Sequence, residues 1–366
     1  RSRGLGDVYK RQKHYSLSTS KESGLPAYQS LFCSADLTQN PEMILVADYD
    51  KALGRLHNAQ AQFDYNTGLS RSLMEDYLVV EDGQTKYFHE VEGYRTKTVL
   101  EIFENRDPRL EQTFMKPGVL NVGTTEPHRA KLNLGGYPQI KFRPLTFDQM
   151  DWGKSYTDLP IIRYAEILLI YAEAKAELGT LTQDDINNTI NLIRQRAGMP
   201  DASLDDWLAN IDPVQEERYS NVQSSQKGAV LEVRRERRIE LACEGFRYGD
   251  LMRWGCGKLF EAAPEGAYIP GMGYYDVTGD GTPDIAVVEK KADVDKIPEE
   301  DKQKYKLTVY ALEGNTIGLT EGTKGHIYLI AQHGKYTFVS PKYYYYPVAT
   351  KDITVNENLY QNPFWE

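Results

Sequence analysis

The sharpest chemical signal in the chain is a single stretch, Asp276-Val277-Thr278-Gly279-Asp280-Gly281-Thr282-Pro283-Asp284. Oxygen-bearing residues at positions 1, 3, 5 and 9, with glycine at 6 for the sharp turn, match the opening of a calcium loop. Asp276, Thr278, Asp280 and Asp284 would supply side-chain oxygens and Thr282 its carbonyl. Two departures weaken the match: Thr278 stands where Asp or Asn is usual, and Val287 stands where an EF-hand places its bidentate Glu. A Gly-Asp-Gly turn between strands accounts for the same residues. A structural calcium and a plain turn therefore stand even, and the sequence requires no other cofactor.

Catalytic signals are sparse. The histidines His14, His57, His89, His128, His326 and His333 fall in no H-E-x-x-H or similar ligand spacing, and nucleophile-elbow and phosphate-loop patterns are missing. A paired-carboxylate glycosidase needs only two acids near in space, and with 53 acidic residues such pairs can be drawn anywhere. The aromatics are more telling. Tyr 26 against Phe 11 and Trp 4 is a choice of rings that carry a hydroxyl and can face water. That suits stacking on polar, ring-shaped ligands, or a wet protein interface. Phe63, Tyr65, Tyr87, Phe88, Tyr94, Trp152 and Tyr156 precede the clearest helices in loop-like sequence, where a sugar face could stack and neighbouring Asn, Asp or Arg could bond its hydroxyls. Packing with one wet edge is the commoner role for any single ring.

These groups must be positioned by a chain of 366 residues, enough for one large domain or two ordinary ones. Lys plus Arg number 43 against 53 acids, a net charge of -10, which argues against a surface that grips nucleic-acid phosphates or anionic lipid. Hydrophobic residues at 40% and charged residues at 26% fit a globular chain. Cys33, Cys243 and Cys256 cannot form a disulfide framework. No apolar run reaches the ~18 residues of a membrane span. Arg1 to Gln12 shows neither helical nor strand periodicity, and residues 1–27 read as a truncated or non-native start to a single domain over 28–366.

Within that domain the sequence predicts loop-rich structure over about 60–158, punctuated by Asp107-Pro108, Gly135-Gly136, Arg143-Pro144 and Trp152-Gly153. Ile161, Ala165, Leu168, Leu169, Ala172 and Ala176 predict an amphipathic helix entered at Pro160 and stopped at Gly179. Thr182 caps a second helix with Ile186, Ile190, Ile193 and Ala197 as its stripe and Gly198 as its end. The pair approaches a tetratricopeptide period. Across 228–254 six arginines interleave with five acids, which predicts a helix carrying close ion pairs, not a basic patch. Beyond Gly271, Val287-Val288, Leu307 to Leu312, Ile327 to Ile330 and Tyr343 to Tyr346 predict short strands.

Four segments together resemble the SusD/RagB-like nutrient-binding outer-membrane lipoproteins of Bacteroidota. They are Asn40 to Leu45; Leu159 to Leu169 with Tyr171 to Ala174; Arg235 to Leu241 with Glu244 to Leu251 and Arg253-Trp254-Gly255; and Tyr346-Pro347 through Asn358 to Pro363 and Trp365. Phe364 stands where the family usually has Gly, and Val348-Ala349 replaces a commoner Ile-Pro. The resemblance implies a mainly α fold: tetratricopeptide-like helical repeats over about 160–255, a loop-rich ligand region, and short strands with a C-terminal signature over about 270–366. It implies a non-catalytic protein on the extracellular face of the outer membrane, attached by an N-terminal lipid anchor that this chain lacks. Cys33 is not the lipidated residue, since no apolar signal precedes it. The implied partners are a glycan, or another nutrient polymer, and a TonB-dependent SusC-type transporter that receives it; nucleic acid is not among them. Trp152 and Tyr156, with Tyr65 behind them, are the expected stacking platform. Two other readings compete: a tetratricopeptide-type adaptor gripping protein segments in a helical groove and, behind it, a glycoside hydrolase.

Overall fold

Residues 15–59 and 68–365 are described by the computed structural model. Helix α1 (Ala27–Ser30) leads to strand β1 (Met43–Ala47), and ordered packing already includes Ser16 and Ser18, whose amides reach the Pro41 carbonyl at 3.1 Å and the Glu42 carboxylate at 2.8 Å. After α2 (Arg71–Met74) comes a hairpin of β2 (Val79–Glu81) and β3 (Gln84–Lys86), then turns and loops as far as β4 (Leu159–Arg163). The helices follow: α3 (Tyr164–Glu177), α4 (Gln183–Asn187), α5 (Ile190–Ala197), α6 (Leu204–Ala209), α7 (Pro213–Arg218), α8 (Lys227–Glu240) and α9 (Phe246–Arg253).

The C-terminal third carries two three-stranded sheets. One joins β5 (Glu265–Ile269) to strands reached later in the chain, and the other holds β6 (Gly273–Tyr275) and β7 (Ile285–Val288). From β7 the chain crosses over through α10 (Glu299–Lys304) to β8 (Thr308–Ala311), which lies parallel to β7, as parallel pairing requires. Then β9 (Ile317–Leu319) and β10 (Gly325–Leu329) complete the order β5-β10-β9, and α11 (Thr350–Val355) precedes the end. The fold is mainly helical with short strands. Among the described residues no helix is long and apolar enough to cross a membrane.

Three expectations are corrected. The helix expected from Pro160 begins at Tyr164, because Leu159–Arg163 pairs antiparallel with β1 in a two-stranded sheet, where Pro160 lies at a strand edge and its missing N–H is harmless. Ile161 is therefore exposed and not part of the core stripe. The helix after Thr182 divides at Thr189, whose hydroxyl donates to the Asp185 carbonyl at 2.5 Å and competes with the helical ladder. With α4 and α5 short, and α6 and α7 of 6 residues each, tetratricopeptide-like repetition is not established by these helices. Tyr343 to Tyr346 form a 3-10 turn over Lys342–Tyr344, not a strand; Pro341 and Pro347 bracket them, and Tyr343, Tyr345 and Tyr346 are exposed.

Two cores meet on α8. Ala229, Val230, Leu231 and Val233 pack with Leu168, Leu169 and Ala172 of α3 and Ile190 and Ile193 of α5. Ile239, nearer the other end of α8, packs with Tyr77, Phe114, Ile285 and Ile327 of the loop and sheet region. Gly228 permits the approach: a Cβ there would stand 1.9 Å from the Trp207 carbonyl oxygen. Thr182 caps α4 with its hydroxyl on the Asp185 amide, and Gly198 ends α5 in the left-handed region.

The arginine-rich segment forms two helices, divided at Gly245 with φ 87°, and most of its ion pairs reach outside them. Arg163, at the end of β4, donates to Glu42 at 2.9 Å, Glu240 at 2.6 Å and Glu244 at 2.7 Å. Arg196 joins Glu42 and Glu240, Lys141 joins Glu244, Arg109 joins Asp107, Glu236 and Glu240, and Arg194 joins Glu236. Five cations (Arg109, Lys141, Arg163, Arg194, Arg196) thus meet five carboxylates (Glu42, Asp107, Glu236, Glu240, Glu244), all of them buried or nearly so. Burial alone would raise the Glu240 carboxyl, but Arg196, Arg163 and Arg109 overcome it and hold the group well below the ordinary range. Asp76 is held low in the same way by Arg218, Arg238 and Arg235.

Two outcomes follow. Arg163→Ala removes a cation shared by three buried carboxylates, leaving five carboxylates to the four cations Arg109, Lys141, Arg194 and Arg196, and should cost about 3–5 kcal/mol in urea unfolding, whereas Arg253→Ala, whose side chain is 46% exposed, should cost much less. Because Glu240 and Asp76 are depressed in the fold, their stabilisation is complete above the unfolded carboxyl range and fades as pH falls toward the folded values. The thermal midpoint should hold between about pH 7 and 5.5 and drop below about pH 4.

Candidate functional site

Trp152 and Tyr156 lie on the loop that links Arg143 to β4. Its floor is fixed from inside by Gln149, which is 3% exposed. The Gln149 side-chain amide donates to Thr146 Oγ1 at 3.1 Å, its Oε1 accepts from the Tyr156 amide at 3.2 Å, and its carbonyl accepts from the Ser155 hydroxyl at 2.9 Å. Ser155 and His57 exchange backbone hydrogen bonds, and His57 Nε2 lies 2.9 Å from the Thr157 carbonyl. Asp158 closes the loop by accepting from the amides of Leu37 at 2.8 Å and Tyr49 at 2.7 Å. Burial raises its carboxyl above the ordinary value, against the pull of those two hydrogen bonds.

From this floor two rings project. Phe147 is 68% exposed and Trp152 55%. Trp152 sits in a turn whose Gly153 adopts φ 65°, and the Gly153 amide donates to Asn58 Oδ1. The Asp151 carboxylate accepts from the Trp152 amide at 2.8 Å and pairs with Lys154 at 2.9 Å. Tyr156 is tied down instead: its hydroxyl donates to Asp148 at 3.3 Å, and the Lys51 ammonium lies 5.5 Å from its ring centroid. Hydrogen bonds from Lys51 and Thr146 hold the exposed Asp148 carboxyl near 2, so it remains an anionic acceptor.

Against Phe147 a cleft of about 460 Å³ opens, lined also by Asn121, Thr124, Asp148, Asp151 and Lys154 among others; Trp152 follows Asp151 on the same loop and is not part of that lining. Exposed rings set against fixed carboxylates, an amide and an ammonium form a surface that can stack on a pyranose face and bond its hydroxyls. Of the three expected platform residues, Trp152 is available, Tyr156 serves as a strut with its hydroxyl on Asp148, and Tyr65 lies outside the described residues. Phe147 escaped the sequence reading; its signal was a large ring between polar Thr146 and Asp148 just after Arg143-Pro144.

The acidic loop closes on its own backbone. Asp276 accepts from the amides of Thr278 at 2.9 Å, Gly279 at 2.6 Å and Gly281 at 2.7 Å, and Asp280 accepts from the Thr282 amide and hydroxyl at 2.8 and 2.6 Å. Asp284, 1% exposed, accepts from the amides of Val277 and Thr278 at 3.0 and 2.9 Å and pairs with Arg129 at 3.2 Å. Among the described residues no three His, Cys, Asp or Glu side chains group to hold a metal ion.

With this geometry in place, comparison with known proteins identifies the kinship. The profile described as the SusD family matches residues 46–365, and the chain belongs to that family. No curated protein matches it. A SusD-like carbohydrate-binding protein from Bacteroides fragilis is similar in structure with a TM-score of 0.60 at 22% identity, over 97% of this chain and 60% of its own. A second SusD-like protein from the same species gives a TM-score of 0.59 at 18% identity, over 98% and 60%. The chain therefore spans about 60% of the length of these solved structures, and the likeness is one of fold.

Asp284→Ala removes the acceptor of two buried amides and the partner of Arg129, and should cost about 1–3 kcal/mol. Melting the wild-type chain in EDTA and in calcium separates the two readings of the loop. Equal midpoints fit a self-closed turn, and a rise of several degrees in calcium would fit a bound ion.

Proposed function

We propose that this SusD-family chain captures oligosaccharide at the cleft beside Phe147 and Trp152, without turnover, and passes it to a TonB-dependent SusC-type transporter. In this reading the protein works on the extracellular face of the outer membrane, held there by a lipid anchor. The observation that carries the proposal is the pairing of two exposed rings with fixed hydrogen-bonding groups on a floor pinned by the buried Gln149. Support also comes from the carbohydrate-binding protein of Bacteroides fragilis that shares the fold. Rigid rings over fixed polar groups lose little conformational entropy on binding, so less of the stacking and hydrogen-bonding free energy goes into ordering the site.

Calorimetric titration against a panel of neutral and acidic oligosaccharides tests this. Trp152→Ala and Phe147→Ala should each weaken the bound glycan about 5- to 20-fold, roughly 1–2 kcal/mol of stacking, with the melting temperature unchanged. Release of reducing sugar during the titration would point instead to a hydrolase. Binding that survives both substitutions would remove the cleft from the reading.

A further inference from the structure

A second cavity, of about 810 Å³, opens away from the loop cleft and is lined by Arg71, Arg95, Arg218, Arg238 and Arg247. Its position in a chain of net charge -10 makes this concentration of cations informative. Some of them are structural. Arg71 is consumed by Glu75 and Glu265, each at 2.7 Å. Arg218 and Arg238 share the single carboxylate of Asp76, at 2.7 and 2.5 Å. The other two have no such partner among the described residues. The polar side-chain contact of Arg95 is a phenol, with Nε donating to Tyr94 Oη at 3.0 Å. Arg247 lies 5.8 and 6.0 Å from the ring centroids of Tyr219 and Trp254, and its Nη1 is buried with no hydrogen-bond acceptor among the described residues.

The charge balance is direct. Glu75 and Glu265 on the walls, and Asp76 behind Arg218 and Arg238, balance three of the five guanidiniums and leave an excess of two positive charges. Arg238 registers the excess: burial, and then Arg247 and Arg218 against the pull of Asp76, bring its guanidinium down to about 10. The remaining wall is not that of a bare phosphate site. Phe260, Leu251, Leu259 and the 54% exposed Tyr336 provide apolar surface, and Ser70, Ser72 and Gln332 provide hydroxyls and an amide. A buried guanidinium donor with no acceptor is costly until an anion arrives. Its volume lies within the range of small-molecule sites, about 300–1,000 Å³.

We infer that this cavity is a second binding site, for a carboxylate-bearing sugar, with Arg247 and Arg95 clasping the carboxylate and Phe260 and Tyr336 flanking the pyranose ring. The inference does not depend on the loop cleft.

The test titrates the full chain with an oligogalacturonate, with the neutral oligosaccharide of equal length, and with citrate as a carboxylate lacking a sugar ring. The oligogalacturonate should bind and the neutral chain should not compete for the same site. Arg247→Gln should weaken the acidic sugar at least about tenfold and Arg95→Gln about three- to tenfold. Raising salt from about 50 to about 500 mM should weaken it further. Arg95 is exposed, so its replacement leaves the fold intact even if Arg247→Gln does not, and Trp152→Ala should leave this binding unchanged. Absence of oligogalacturonate binding overturns the inference, as does affinity untouched by Arg95→Gln in a folded protein, or citrate binding as tightly as the sugar. Loss of acidic-sugar binding on Trp152→Ala alone would move that ligand to the loop cleft, overturning this inference while sustaining the proposed function. Neutral glycan binding lost on Trp152→Ala, beside oligogalacturonate binding lost on Arg247→Gln, would establish both.

Discussion

The whole molecule depends on five buried cations finding five buried carboxylates. A charge in a low-dielectric interior is tolerated only when it is paired and hydrogen-bonded, so each member of this lattice dictates where its segment must run. Glu236 and Glu240 project from α8, Glu42 lies just ahead of β1, and Arg163 ends β4. The two-stranded β1–β4 sheet, too small to be stable alone, makes sense as the brace that brings Glu42 beside Arg163; the Tyr164 amide donates to the Glu42 carbonyl at 2.8 Å in the same arrangement.

The lattice also reaches the ligand cleft. Lys141 and Arg163 are both members, and the segment between them carries Phe147, Trp152 and Tyr156. The loop is thus suspended between two anchored ends, with Gln149 and Asp158 fixing its interior. Irregular backbone can hold an exposed ring in place only when its own hydrogen bonds are satisfied in this way. The arginine cavity draws on the same economy of charge in reverse, since among the described residues its walls leave Arg95 and Arg247 without carboxylate partners.

What could be read from the sequence was local. The stripe Leu168, Leu169, Ala172 and Ala176, the Thr182 cap and the Gly179 and Gly198 stops are statements about three or four neighbouring residues, and periodicity records them. Trp152 could be singled out because a tryptophan beside Gly153 in polar sequence has no helix or strand in which to bury itself. The failures were at longer range. Nothing local distinguishes Arg163 as the partner of Glu240, 77 residues away, and for that reason arginines 234 to 253 were expected to pair within their own helix. Leu159 to Arg163 carries helix-like apolar spacing, and only the antiparallel partner at Met43–Ala47 overrides it. The arginine cavity takes its wall from segments scattered between Ser70 and Tyr336, so no window of sequence contains it.

The span of these pairings bears on how the chain reaches its native state. Arg109 meets Glu240 across 131 residues and Arg196 meets Glu42 across 154. Closing such long loops is entropically slow, and their reward comes only when the partners arrive. A half-assembled set would leave a bare charge in a forming apolar interior, so partial structures are penalised. Final locking of the charges should therefore be late and collective, with the helical core around α3 and α5 condensing first. In reverse, an opening that separates one of these segments must bare several charges at once, which raises the free energy of the partly opened forms on which proteases act.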